Sequence, residues 1–402
     1  MPPESYSPVA PTRPSVRIHY LDWLRILALL GVFLIHVAHV FDTLDWHIKN
    51  SQQSDAVTAL TLFLFPWGLG FFFMLAGCGA FFSLRSRSVK GYMVERVNRL
   101  LVPFAVAYVV LNPLQWFLQE RSRGWTGSFM GAASDYLGAT AHQVATWPSR
   151  PRTMLVGGPG GEIFHLWFLV YLLWFAMLGL PIFIALRSER GHRYISAVAE
   201  RCSWRGSSLL FALPIAAAHV ALRAPFFDER DWGEFAYYFA FFIVGYILVS
   251  DRRFLEAIER DLGPAVALGV TGFVVMMSLD PAGWVETWND HPGYTPKYFL
   301  MITVFSLQAW GWAVAAFSWG MRVKRFQTPL PTAIGESAMP FFLFHQPVII
   351  AVAYFVVSTS AGVALKMLSV LVGSFAISAA LAYALTLSRA TRRLMGVKDR
   401  AR

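Results

Sequence analysis

Apolar and polar residues fall into long blocks along this chain, with no strand-like alternation. Apolar runs approaching the length needed to cross about 30 Å of hydrocarbon lie at 23–41, 59–84, 101–117, 164–186, 208–222, 236–249, 264–279, 299–318, 338–357 and 363–387. Each is predicted to be a helix, because a segment inside a bilayer must satisfy its backbone groups internally. The pattern therefore predicts an all-α integral membrane protein of about ten transmembrane helices. The runs at 208–222 and 236–249 are short for a full crossing. Residues 1–20, rich in Pro and Ser, are expected to be disordered. Residues 21–390 read as one polytopic domain and 391–402 as a basic tail. No A-x-A cleavage pattern follows the first run, so a retained helix is expected there instead of a signal peptide.

Charge gives this ladder a direction. Alternate loops and the two ends hold 24 basic residues, whereas the intervening loops hold eight, which predicts cytoplasmic N- and C-termini. The outer loops instead carry acids, including Asp42, Asp45, Asp228, Glu229, Asp231, Asp280, Glu286 and Asp290. With 402 residues, 56% hydrophobic and 14% charged, the composition is that of a multi-pass membrane protein. The net charge of +10 fits an anionic cytoplasmic leaflet and calls for no nucleic acid partner. Cys78 and Cys202 fall in different compartments and in no metal-ligand spacing, so neither a disulfide nor a metal site is expected. No internal repeat is visible, which argues against an inverted-repeat carrier. Oligomeric state is left open.

Ionisable residues inside the apolar runs are the candidate chemistry, since burying them in lipid is costly. In the first run Asp22, Arg25 and His36 share one helical stripe. Arg25 and His36 are about 20° apart around the axis and roughly 16 Å apart along it. Just beyond, "FDTLDWHIKN" brings Asp42, Asp45, His47 and Lys49 close to His36 and His39. A histidine near a carboxylate provides a general base and its orienting group. On the inner side, Arg96 and Arg99 are spaced i,i+3, which on a regular helix makes a phosphate clamp. The fourth run opens with Gly157, Gly158, Gly160, Gly161 and Glu162, then His165. The ninth holds His345 ahead of Pro347, and a proline there frees a carbonyl and bends the helix. Gly68, Gly70, Gly77 and Gly79 in the second run allow either close helix packing or a broken helix. Purely structural roles, as ion pairs, positive-inside charge or interhelical hydrogen bonds, are open for each of these residues.

Together "YLDWLRILALLGVFLIHVAHVF", "DWHIKN", "FFFMLAGCGAFFSL", "RVNRLLVPF", "HLWFLVYLL" and "FLFHQPVII" resemble, in order, motifs of the acyltransferase-3 family of membrane O-acyltransferases, with its glucan-modifying branch nearest. The likeness is strongest over 20–185 and 335–355. Ala76 stands where many members have serine. The resemblance implies transfer of an acetyl or succinyl group from cytoplasmic acyl-CoA to a hydroxyl of a periplasmic or other extracytoplasmic glycan. It further implies a bacterial inner membrane location. Carried across, His36 and Arg25 become the essential pair with Asp22 fixing the arginine, and Arg96 and Arg99 meet the CoA phosphates. Asp45, His47, His165 and His345 become acceptor-side or supporting residues. The expected partners are acyl-CoA, a glycan acceptor and the bilayer, with acyl-CoA a co-substrate and no cofactor bound permanently. His36 as general base and His36 as acyl carrier both fit. A transporter or flippase for a glycan or lipid-linked precursor is the competing reading.

Overall fold

The computed structural model describes residues 19–146, 163–223, 232–279 and 293–398. The expected disorder of the N-terminus, the glycines at 157–161, Glu162 and the acids at 228–231 and 280–290 lie outside the described residues, apart from residues 19 and 20. Every described element is helical. The first helix, α1, spans His19–His39, and the loop after it leads into α2, Asp55–Ser86. A third crossing is assembled from α3 (Val89–Arg96), a π-helical turn (Val97–Leu101), α4 (Val102–Val110) and α5 (Asn112–Ser122). Then come α6 (Phe129–Thr146), α7 (Trp167–Leu186), α8 (Glu189–Arg201), α9 (Ala212–Arg223), α10 (Trp232–Leu248) and α11 (Arg252–Arg260). The chain continues with α12 (Leu262–Leu279), α13 (Pro296–Arg322), α14 (Thr332–Val356), α15 (Val363–Leu385) and the short α16 (Arg389–Leu394).

Each of the ten apolar runs coincides with one of these helices or helix groups. Eight are long and apolar enough to span a membrane, and the two short runs are the exceptions among the described residues. The run at 236–249 is α10, which passes only together with α11, bent away from it by 110°. The run at 208–222 is a 3-10 turn followed by α9. Outside the ten runs, α6 lies inside what reads as a long outer loop, and it packs against α5.

Helix ends collect on two faces. On one, Trp23 donates to the Thr328 carbonyl at 3.0 Å, Arg99 to that of Gly396 at 3.3 Å and Arg260 to that of Ser203 at 2.9 Å. On the other, Lys366 donates to Asn50 at 3.3 Å and the Tyr298 hydroxyl to the Val220 carbonyl at 2.6 Å. The segments expected to be cytoplasmic thus meet on the first face, called here the arginine face. The opposite one is the histidine face. Large apolar side chains such as Val110, Leu213, Val274 and Phe355 remain exposed between them, as a lipid-facing belt requires.

The bundle core is built around α1 and α2. Phe33 of α1 packs edge-on against Phe341 of α14 and Phe375 of α15. The glycines of α2 serve packing, since α2 runs unbroken through them. A Cβ on Gly77 would strike the Phe242 carbonyl of α10, and one on Gly245 would strike that of Met74. The two backbones therefore cross in contact. Gly77→Ala is expected to cost about 1–3 kcal/mol through overpacking and to lower the melting temperature in detergent. Gly31→Ala, where a Cβ meets nothing within 4 Å, should leave it level or higher. Equal behaviour of the two variants would contradict the crossing.

Candidate active site

The chemistry-bearing residues divide between the two faces. Arg25 lies on the arginine face, its Nη1 2.9 Å from Asp22 and its Nη2 donating to the Leu75 carbonyl at 3.4 Å. A Cβ at Gly79 would lie 2.9 Å from that Nη2, so the glycine lets the guanidinium rest on α2. Arg25 and Arg99 line one cavity of about 590 Å³, whose wall also includes Asp22, Glu336, Phe168 and Phe342.

Arg96 does not join them. Its guanidinium lies over the Tyr92 ring, 5.0 Å from the centroid, and Arg96 is absent from the cavity wall. The expected clamp assumed regular α-helix, but a π-helical turn begins at Val97. A π turn rotates less per residue than an α turn, so Arg99 leaves the stripe occupied by Arg96. The arginine that joins Arg99 comes from α1 instead.

The inner end of the cavity reaches a layer of rings. Phe168 packs against Phe72 at 4.8 Å and against Phe342 at 5.5 Å between centroids. Phe342 in turn contacts His165 at 5.3 Å and His345 at 5.6 Å. Beyond this layer stand three histidines from three helical segments: His36 of α1, His345 of α14 and His165 of the 3-10 turn that opens α7.

Their hydrogen bonds fix where the protons sit. His345 Nδ1 is 2.6 Å from the Phe342 carbonyl oxygen, which only accepts, so Nδ1 carries a hydrogen. With the ring neutral, His345 Nε2 is an acceptor. His36 Nδ1, 2.9 Å away, must then donate, leaving the lone pair of His36 on Nε2. His345 is wholly buried with both nitrogens engaged, whereas His36 is partly accessible. The structure thus puts His345 behind His36 and leaves it no ring nitrogen for the acceptor contact implied by the resemblance.

His165 shows the effect of the proline. Pro347 has no N–H for the carbonyl one turn earlier, that of Leu343. His165 Nε2 donates to this freed oxygen at 3.1 Å. The residue before it, Phe164, sits in the left-handed region at φ 48°, a strain of about 1–3 kcal/mol that tends to accumulate at functional positions. Its ring packs 4.9 Å from His47.

On the histidine face Trp46 stacks near both His36 and His39, at 6.2 and 6.1 Å. His47 Nδ1 is 2.6 Å from Gln119 Oε1. Asp45 is exposed and lines a second cavity of about 590 Å³ with Trp46, His47, Lys49, Arg121 and Tyr354. The carboxylate that pairs with a histidine is Asp42, whose Oδ2 lies 2.8 Å from His39 Nδ1. Lys49 and Thr61 also reach it, at 2.7 and 2.9 Å. Trp46 and Gln119 were not among the residues expected to form the site, and Asp42 stood only as one member of the candidate cluster after the first run. Gln119 had a signal: Asn112, Gln115 and Gln119 recur at helical spacing along α5, and all three are buried. Among the described residues, no group of three His, Cys, Asp or Glu is placed to hold a metal ion.

A family model described as an acyltransferase domain, that of acyltransferase-3, matches residues 18–386. The chain belongs to the acyltransferase-3 family. This membrane acyltransferase is also similar to proteins named glucans biosynthesis protein C. Those of Shigella dysenteriae serotype 1 (strain Sd197) and Escherichia coli (strain K12) are each 22% identical to it over 350 residues, covering 83% of this chain and 82% of the relative. No solved structure matches. Family membership means that this multi-pass protein binds an acyl donor and an acceptor.

Two outcomes check this geometry. Burial pushes the Asp42 carboxyl up, but hydrogen bonds from His39, Lys49 and Thr61 outweigh it and hold the group below its ordinary value of 3.8. A lowered folded-state value stabilises above the unfolded one and is lost as pH falls through it. Asp42→Asn should therefore lower the melting temperature at pH 7, and the gap from wild type should close progressively below about pH 4. A gap independent of pH would place the effect elsewhere. Pro347→Ala restores an N–H that competes for the Leu343 carbonyl. It is expected to leave the fold at least as stable while reducing acyl transfer about tenfold through a misplaced His165, in line with the sensitivity of sites to displacement. Undiminished transfer would show that this hydrogen bond is dispensable.

Proposed function

We propose that the enzyme takes an acyl group from acyl-CoA bound at the arginine face and transfers it to a glycan hydroxyl at the histidine face. The observation that carries this reading is the cavity of about 590 Å³ that begins among Arg25 and Arg99 and ends at Phe342, in ring contact with His345 and His165. Guanidinium groups at the mouth suit phosphates, and an apolar interior suits the slender arm of CoA. The Lys and Arg concentrated on the segments of the arginine face favour a cytoplasmic orientation for it, within a bacterial inner membrane. The name of the relatives, glucans biosynthesis protein C, favours a glucan among acceptors, and acetyl or succinyl is the transferred group.

His36 Nε2 takes the proton of the acceptor hydroxyl as its oxygen attacks the thioester carbonyl. Collapse of the tetrahedral intermediate breaks the C–S bond, and the departing CoA thiolate takes up the proton released by His36, which returns the imidazole to its neutral form. The products are the O-acyl ester and CoA. While His36 holds the proton, the Nδ1–H bond to His345, itself anchored on the Phe342 carbonyl, keeps the ring oriented and supports the positive charge. Phe72, Phe168 and Phe342 lie between donor cavity and histidines, so the rings must part for thioester and hydroxyl to meet.

The test uses purified full-length protein in nanodiscs with acetyl-CoA or succinyl-CoA and a glucan oligosaccharide, reading free thiol and ester. His36→Ala should lower kcat by about 10²–10⁴ with donor affinity unchanged. Arg99→Ala should weaken donor binding about tenfold and retain most of kcat at saturation. Normal turnover in His36→Ala would falsify the base assignment, and failure of every CoA species to bind would overturn the donor. Acyl label found on His36 after exposure to donor alone would make Nε2 the nucleophile instead of the base.

A further inference from the structure

After α15 the chain turns back beneath the bundle and ends its described course inside the donor cavity. Arg392 of α16 is almost wholly buried and makes two hydrogen bonds with Glu336 of α14, at 2.9 and 2.8 Å. Its Nε also donates to the Lys398 carbonyl at 3.0 Å, so one guanidinium ties the end of the chain to α14. Gly396, at φ 65°, lets the chain turn against the third crossing. A Cβ there would lie 2.8 Å from Pro103 Cγ and 2.9 Å from the Arg99 carbonyl. From this turn Gly396, Val397 and Lys398 form part of the wall shared with Arg25 and Arg99.

Among the described residues the charges at that wall do not balance. Glu95 stands 3.1 Å from Arg87, 3.6 Å from Arg99 and 3.6 Å from Lys398. One carboxylate thus serves three cations, two of them beyond hydrogen-bond distance. Glu95 itself stands outside the cavity lining, and the acids that line it, Asp22 and Glu336, are engaged by Arg25 and Arg392. A surplus of positive charge at the mouth of a pocket is the condition for binding an anion with several charges.

We propose that residues 389–398 are a built wall of the donor site and that Lys398 is a further residue binding the phosphates of the donor, alongside Arg99 and Arg25. The inference rests on the acyl-CoA reading above and extends it, because the basic tail becomes part of the binding machinery. Arg392 and Gly396 are positioning residues: they hold Lys398 beside Glu95 and Arg99.

The experiment is a calorimetric titration of full-length protein with CoA in nanodiscs of phosphatidylcholine alone, which removes anionic headgroups as a competing partner. Lys398→Ala, a substitution at a largely exposed side chain, should weaken CoA binding about fivefold and flatten its salt dependence. Lys398→Arg should restore both. Gly396→Ala should weaken binding at least as much. Lys398→Ala binding CoA like wild type while Arg99→Ala binds weakly would overturn the tail's role and leave the donor reading standing. Failure of wild type to bind CoA would overturn both. An effect of Lys398→Ala that appears only when phosphatidylglycerol is added would assign the lysine to lipid headgroups and overturn the proposal.

Discussion

A polar group within a bilayer must find its partner inside the protein, because lipid offers none. That constraint organises the centre of this molecule. Pro347 leaves the Leu343 carbonyl unbonded by its own helix, and His165 takes it. His345 secures one nitrogen on the Phe342 carbonyl and offers the other to His36. Of the three histidines His36, His165 and His345, His36 alone is partly accessible, with its lone pair on Nε2. Packing supplies the setting, since the crossing of α2 with α10 at Gly77 and Gly245 and the rings around Phe33 hold α1 in register with α14.

The two faces are chemically unlike, as a reaction between substrates on opposite sides of a membrane would need. One gathers guanidinium and ammonium groups around a cavity, and the other gathers imidazoles, indole and a buried carboxylate. The aromatic layer of Phe72, Phe168 and Phe342 separates them. Such a layer keeps the cavity from becoming a continuous polar path, yet it leaves only a few side chains to move when substrates approach. On the arginine face α16 packs against α4, and the residues after it share the cavity wall with Arg25 of α1.

Hydropathy alone located all ten apolar helices and marked the two that are too short, because apolar length is set by the bilayer and is a local property. Spacing on α1 likewise placed Asp22 against Arg25. The carboxylate facing a histidine was legible only as a group of candidates, and Asp42, not Asp45, proved to be the buried one. Helix α6 fell outside the ten runs, and it packs on α5.

What the sequence by itself determined, then, is the position and character of the apolar helices, the membership in a family, and the residue types available for chemistry. Tertiary structure alone decided the pairings. No spacing relates His36 to His345 or Arg99 to Gly396, because they lie about three hundred positions apart and meet only when the helices assemble. It also decided that Arg96 turns away from Arg99. A single π turn changes the angle between two neighbours on one helix, and hydrophobic periodicity does not record it.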